Sequence, residues 1–166
     1  MKKMTRTCFS FSAICILFIS FTGPGEQGTA IPYPEGFRHW VHIKTNLTGF
    51  RNQPQRKFDG FHQIYANEKA VEGYKTGHFP EGSVIVFDKH IADTSGGVIQ
   101  PGARKFINIM YKSSEQFAST GGWGFEEFSG ESRTEGRLDS QKQNNCFNSC
   151  HSGQQANDFV FSHFRE

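Results

Sequence analysis

Apolar and polar residues alternate along much of this chain with the two-residue period of strands that bury one face. The clearest run is Ser83-Val84-Ile85-Val86-Phe87-Asp88-Lys89, entered through the turn Pro80-Glu81-Gly82. Residues 104–112 alternate well enough to form another strand, with Phe106, Asn108 and Met110 sharing a face. Residues 58–65 place Phe58, His62 and Ile64 on one face, and Phe61, Gln63 and Tyr65 on the other. Residues 121–128 read as a strand. Residues 37–45 read as a strand or as a short helix running into one. Only residues 66–75 collect helix formers, and they meet a stop at Thr76-Gly77. Residues 46–57 and 93–102 read as loops, and 129–145 as a polar stretch leading to the cysteine pair. The pattern predicts a single α+β domain, a mainly antiparallel sheet with short helices.

The first thirty residues are of another kind. Lys2, Lys3 and Arg6 precede an apolar run from Cys8 to Phe21, and a glycine-rich exit ends at Ala30. This is the layout of a secretory signal peptide cut after Ala30, and the run is short for a membrane span of about 20 residues. The expectation is an exported, periplasmic domain over residues 31–166. Loss of the leader takes the formal charge from +2 to zero, so no basic patch argues for nucleic acid. No serine–histidine–aspartate spacing or phosphate-cradling glycine loop stands out, and Glu126-Glu127 point to opposite faces of a strand rather than forming a carboxylate pair.

Cys8 and Cys15 leave with the leader, and the remaining cysteines lie together in Cys146-Phe147-Asn148-Ser149-Cys150-His151. Two cysteines followed at once by a histidine are the ingredients of a c-type haem attachment site, usually spelled C-x-x-C-H. There the thiols become thioethers and the histidine ligates the iron. Here three residues separate the cysteines, not two. A disulfide is the ordinary alternative in an oxidising compartment, although a bridge closing so short a loop constrains the unfolded chain only modestly. Zinc asks for about four ligands, and the other histidines show no paired spacing. A catalytic thiol wants a nearby base and no oxidising partner. On these residues alone haem and disulfide both stand. Eighteen phenylalanines in 166 residues make a core, and also suit the wall of a flat apolar macrocycle.

Several blocks taken together resemble the cytochrome P-460 family, which includes the cytochromes c′-beta. They are Pro34-Glu35-Gly36-Phe37-Arg38-His39-Trp40-Val41-His42, Tyr65-Ala66-Asn67-Glu68-Lys69-Ala70, Tyr74-Lys75-Thr76-Gly77, Pro80-Glu81-Gly82-Ser83-Val84-Ile85-Val86-Phe87-Asp88, Gly121-Gly122-Trp123-Gly124-Phe125 and Cys150-His151. They fall in family order over residues 34–165. The resemblance implies an exported, mainly β, commonly homodimeric protein with one covalently attached haem c per chain and a five-coordinate iron. It implies thioethers at Cys146 and Cys150 and His151 as proximal ligand. The extra residue departs from the family motif, and a bulge between the cysteines would accommodate it, since both side chains have only to reach two fixed vinyl positions.

Two departures bear on activity. Hydroxylamine-oxidising members cross-link the macrocycle through a lysine, and that position aligns with Phe87, while Lys89 lies two residues on along the same face. Positions holding a distal arginine and a distal acid in those members align with His62 and Asn108. An aromatic in place of the lysine resembles the cytochromes c′-beta, whose apolar caps favour diatomic gases. The expected distal wall joins Phe58, His62 and Ile64 to Ile85 and Phe87 and to Asn108 and Met110. His62 is a candidate donor to bound ligand or else a surface strand residue, and Met110 is a candidate sixth ligand or else core. Three functions follow: a haem c protein that binds nitric oxide or carbon monoxide or passes electrons to a partner protein, a hydroxylamine oxidase using Lys89, or a haem-free module with a Cys146–Cys150 disulfide.

Overall fold

The structure, a computed structural model, describes residues 31–49 and 56–165. The expected signal peptide over residues 1–30 and its cut after Ala30 lie outside the described residues. Five strands form one antiparallel sheet in simple chain order, β1 Val41–Thr48, β2 Gly60–Ala66, β3 Val84–Asp93, β4 Gln100–Lys112 and β5 Trp123–Ser129. Consecutive antiparallel strands need only short connections, and each run of alternating residues pairs with the next. Helix α1, Glu68–Thr76, joins β2 to β3, and α2, Ser140–Ser149, follows β5. The α+β expectation holds.

Local chemistry explains the helix ends. The Asn67 side chain accepts from the Ala70 N–H at the start of α1, and Gly77, at φ 79°, closes it in the left-handed conformation that glycine adopts without penalty. Within the polar stretch 129–145, α2 begins at Ser140. Asp139 caps that helix, accepting from the Lys142 N–H at 2.8 Å, and only Gln143 of the helix is buried. A helix so polar shows no apolar stripe. The predicted loops also shrink: β1 runs on to Thr48, and β3 and β4 extend their hairpin to Asp93 and Gln100. Pairing continues there through Asp93↔Gln100, which a reading of side-chain pattern alone does not register.

Each face of the sheet buries a core. One packs Val86, Ile107, Ile109 and Phe128 against Ile31, Phe37 and Phe117. On that side the fully buried Asp88 is compensated by Arg104 at 2.7 Å and Arg38 at 2.8 Å, as a buried charge must be. The other core joins Ile64, Ala66, Ile85, Trp123 and Phe125 to Ala70, Phe79 and Val160, and Cys146, Phe147 and Phe159 pack against it. The second face carries the site.

Candidate functional site

Strand register arranges the site face in rows. His62, Lys89, Phe106 and Ser129 make one row, Ile64, Phe87, Asn108 and Glu127 the next, and Ala66, Ile85, Met110 and Phe125 a third. The expected wall is thus assembled: His62, Phe87 and Asn108 share a face and occupy adjacent rows. Phe87 lies 4.7 Å from the His62 ring and stacks on Phe106 at 6.5 Å. Phe58, just before β2, stands edge-on to both phenylalanines at 6.2 and 6.0 Å. Met110 packs against the core.

The cysteine motif sits at the end of α2. The Cys150 N–H donates to the Cys146 carbonyl, so the two cysteines are separated by one closed helical turn. Side chains four apart on a helix lie on one face. The expected bulge is therefore corrected: the extra residue completes an α-turn. At Cys150 the backbone leaves helical geometry, with φ −130° and ψ −58°, and a 3-10 segment, His151–Asn157, begins with the histidine. Both cysteines are free thiols. Cys146 is half-buried, and burial pushes its thiol pKa above the usual range, Lys57 opposing this and Glu127 adding to it.

His151 is held from three sides. Its ring lies 4.8 Å from Phe125 of the third row and 5.0 Å from Phe161. Nδ1 is 2.8 Å from the Phe159 carbonyl. A carbonyl only accepts, so Nδ1 carries the hydrogen and Nε2 keeps its lone pair, the arrangement found in metal-ligating histidines. Burial lowers the His151 pKa, with the bond to Phe159 acting the other way, so the neutral, ligating form prevails near neutral pH.

The distal candidates differ from expectation in detail. His62 is buried, and its Nε2 hydrogen bonds to the Phe58 carbonyl and lies 3.3 Å from Thr48 Oγ1. That N–H is spent on the backbone. Burial lowers the His62 pKa, with neighbouring Lys89 acting the same way, so the second N–H needed to donate to a ligand is disfavoured. Lys89 is fully buried, donates to the Asp59 and His90 carbonyls, and has its pKa brought down to about 8 by burial and the nearby Lys105. Asn108 Oδ1 is the one buried side-chain oxygen or nitrogen among the described residues without a hydrogen-bond partner.

One group on this face was not among the expected site residues. Glu127, the cross-strand neighbour of Asn108, is buried and pairs with Lys57 Nζ at 2.9 Å and with Arg137. Its parity with Phe125 was the signal that placed it there. Lys57 also lies over the Phe58 and Phe106 rings, at 5.6 and 5.3 Å. The residues present suit a haem: two thiols on one helical face, an adjacent histidine with a bare Nε2, an aromatic wall and an unpaired amide oxygen. No cluster of histidine, cysteine and carboxylate fit for a bare metal ion occurs among the described residues.

A family model described as cytochrome P460 matches residues 34–162. No curated protein matches the chain. The matched span takes in the whole sheet, both helices, the cysteine pair and His151. The chain therefore belongs to the cytochrome P460 family, a family of haem proteins.

Proposed function

We propose that the chain is an exported c-type haem protein, attached through Cys146 and Cys150 and ligated by His151, that binds nitric oxide or carbon monoxide or passes electrons to a partner protein. The observation that carries this reading is the junction of α2 with the following 3-10 segment. One helical turn separates two free thiols, and the next residue is a histidine whose Nδ1–H is already used and whose Nε2 is not. The haem, when bound, supplies an iron able to hold a small ligand or change oxidation state.

The chain's own groups do the rest. Cys146 and Cys150 fix the macrocycle to α2. Phe125 and Phe161 confine the His151 ring, and Phe159 sets its tautomer. Phe58, Phe87 and Phe106 present apolar surface across the distal rows, which excludes water and favours neutral diatomic ligands over hydrated ones. Two findings weigh against hydroxylamine oxidation. Phe87 stands where the resemblance calls for a lysine, and the ammonium of Lys89 is bound to two carbonyls.

Export and assembly into a homodimer belong to the same proposal. Export is supported by the signal-peptide layout of residues 1–30 and by the family resemblance, the homodimer by the resemblance. Light scattering of the purified protein tests the dimer, and a mass near one chain removes it. The central test is an optical spectrum of protein matured with the haem-attachment machinery, taken with and without nitric oxide. The reading expects an ordinary ferrous c-haem spectrum, a shift on adding the gas, and a mass and pyridine haemochrome typical of two thioethers. A band far to the red would favour the cross-linked enzyme instead. Colourless protein would favour the disulfide module.

A further inference from the structure

We infer that Asp158 is the positioning residue for His151, acting through the carbonyl of Phe159. Asp158 and Phe159 adopt φ of 45° and 65°, and they are the only non-glycine residues with positive φ among those described. Two such residues in succession persist only where their surroundings over-determine them.

Those surroundings are specific. Asp158 Oδ2 accepts from the Phe79 N–H at 2.9 Å, and Oδ1 accepts from Lys112 Nζ at 2.8 Å. The Asp158 carbonyl accepts from Trp123 Nε1 at 2.8 Å. The lead-in to β3, the end of β4 and the start of β5 therefore converge on one residue. Lys112 is buried, lies 5.0 Å from the Trp123 ring centre and also donates to the Gly121 carbonyl, so it is anchored independently of Asp158. The next residue is accommodated as well. A Cβ on Gly121 would come within 2.4 Å of the Phe159 ring, which occupies the space that glycine leaves.

The product of this arrangement is one carbonyl direction. Phe159 O meets His151 Nδ1 at 2.8 Å. The rings of Phe125 and Phe161 restrict the imidazole plane, but no apolar contact selects a tautomer; the carbonyl does. A fixed acceptor at Nδ1 keeps the lone pair on Nε2 and raises its basicity as a ligand. The effect of Asp158 on His151 passes through the turn that Asp158 holds.

The inference rests on His151 being the iron ligand, and the test separates the two claims. Full-length chain is prepared as wild type, Asp158→Asn, Asp158→Gly and Lys112→Met. The ring ¹⁵N shifts of His151 are recorded before haem loading, at a pH where the ring is neutral, and the ferrous iron–histidine stretch is recorded after loading. Wild type should show the Nδ1–H tautomer alone. Asp158→Gly tolerates the left-handed φ but loses both carboxylate bonds, so it should show a tautomer mixture and a lowered stretch. Asp158→Asn keeps an acceptor and tolerates that φ, so it should lie nearest wild type, with Lys112→Met between. A folded Asp158→Gly protein with unchanged ¹⁵N shifts and stretch would overturn the inference. A tautomer that responds in a chain that takes up no haem would uphold the positioning and overturn the haem reading.

Discussion

His62 commits its Nε2–H to the Phe58 carbonyl while buried, and its pKa is lowered from 6.5, with desolvation the leading cause. The sign of the consequence follows from linkage. Below pH 6.5 the unfolded chain binds a proton that folded His62 resists, so this residue's contribution is complete above that pH and is lost as the pH falls. The slope is at most about 1.4 kcal/mol per pH unit. His62→Gln should therefore flatten the acid limb of stability measured by urea melts between neutrality and pH 5; a parallel limb in the variant would remove His62 as the cause. Asn108 behaves differently because its Oδ1 is buried without a partner. An unsatisfied buried acceptor costs about 1–3 kcal/mol. Asn108→Leu should leave the haem-free fold equally or more stable, and should raise the nitric oxide off-rate of the loaded protein if the amide contacts the ligand. Loss of stability in the leucine variant would count against the unsatisfied-acceptor account.

At the scale of the element, α2 is the piece on which attachment depends and the piece least visible beforehand. Its residues run Ser-Gln-Lys-Gln-Asn-Asn-Cys-Phe-Asn-Ser, which contains neither an apolar stripe nor strong helix formers apart from lysine and glutamine. The one local cue is Asp139, a favoured N-cap residue whose side chain accepts from Lys142. Asp139→Ala should lower the chemical-denaturation midpoint and the yield of doubly attached haem, since α2 would fray without its cap. An unchanged midpoint would mean that packing of Cys146 and Phe147 on the core holds the helix without its cap. The strands were easier. Alternation over residues 83–89 and 104–112 predicted β3 and β4 and the shared face of Phe106, Asn108 and Met110, because side-chain parity is a local property. That Phe87 joins that face is decided by the register between β3 and β4. The strand ends were harder: ladder bonds continue past the last alternating residue as far as Asp93 and Gln100.

Across the whole molecule, the sheet separates stability from chemistry. Ile109 lies on the face away from the site, 1% exposed, and Phe125 lies on the site face against His151. Ile109→Ala should cost about 2–5 kcal/mol through cavity formation yet leave the haem spectrum as it was. Phe125→Leu should cost less but shift that spectrum, because it loosens one wall of the imidazole. Equal spectral effects from both variants would mean that the two faces are coupled. Much of this plan was readable before any fold was known. The period of the pattern specified an antiparallel α+β domain, and adjacency alone tied Cys150 to His151, because both are consequences of neighbouring residues. The resemblance of the ordered blocks to one family named the haem. Four things waited for the three-dimensional arrangement: the helical turn between the cysteines, the spending of His62 and Lys89 on backbone carbonyls, the arrival of Glu127 beside Asn108, and the hold of Asp158 on Phe159. The side on which Glu127 lies follows from parity, and His62 reaches a carbonyl only four residues away. But Asn108 beside Glu127, Asp59 beside Lys89 and the contacts of Asp158 are set by strand register and packing, and the cap and packing of α2 leave no period in the pattern.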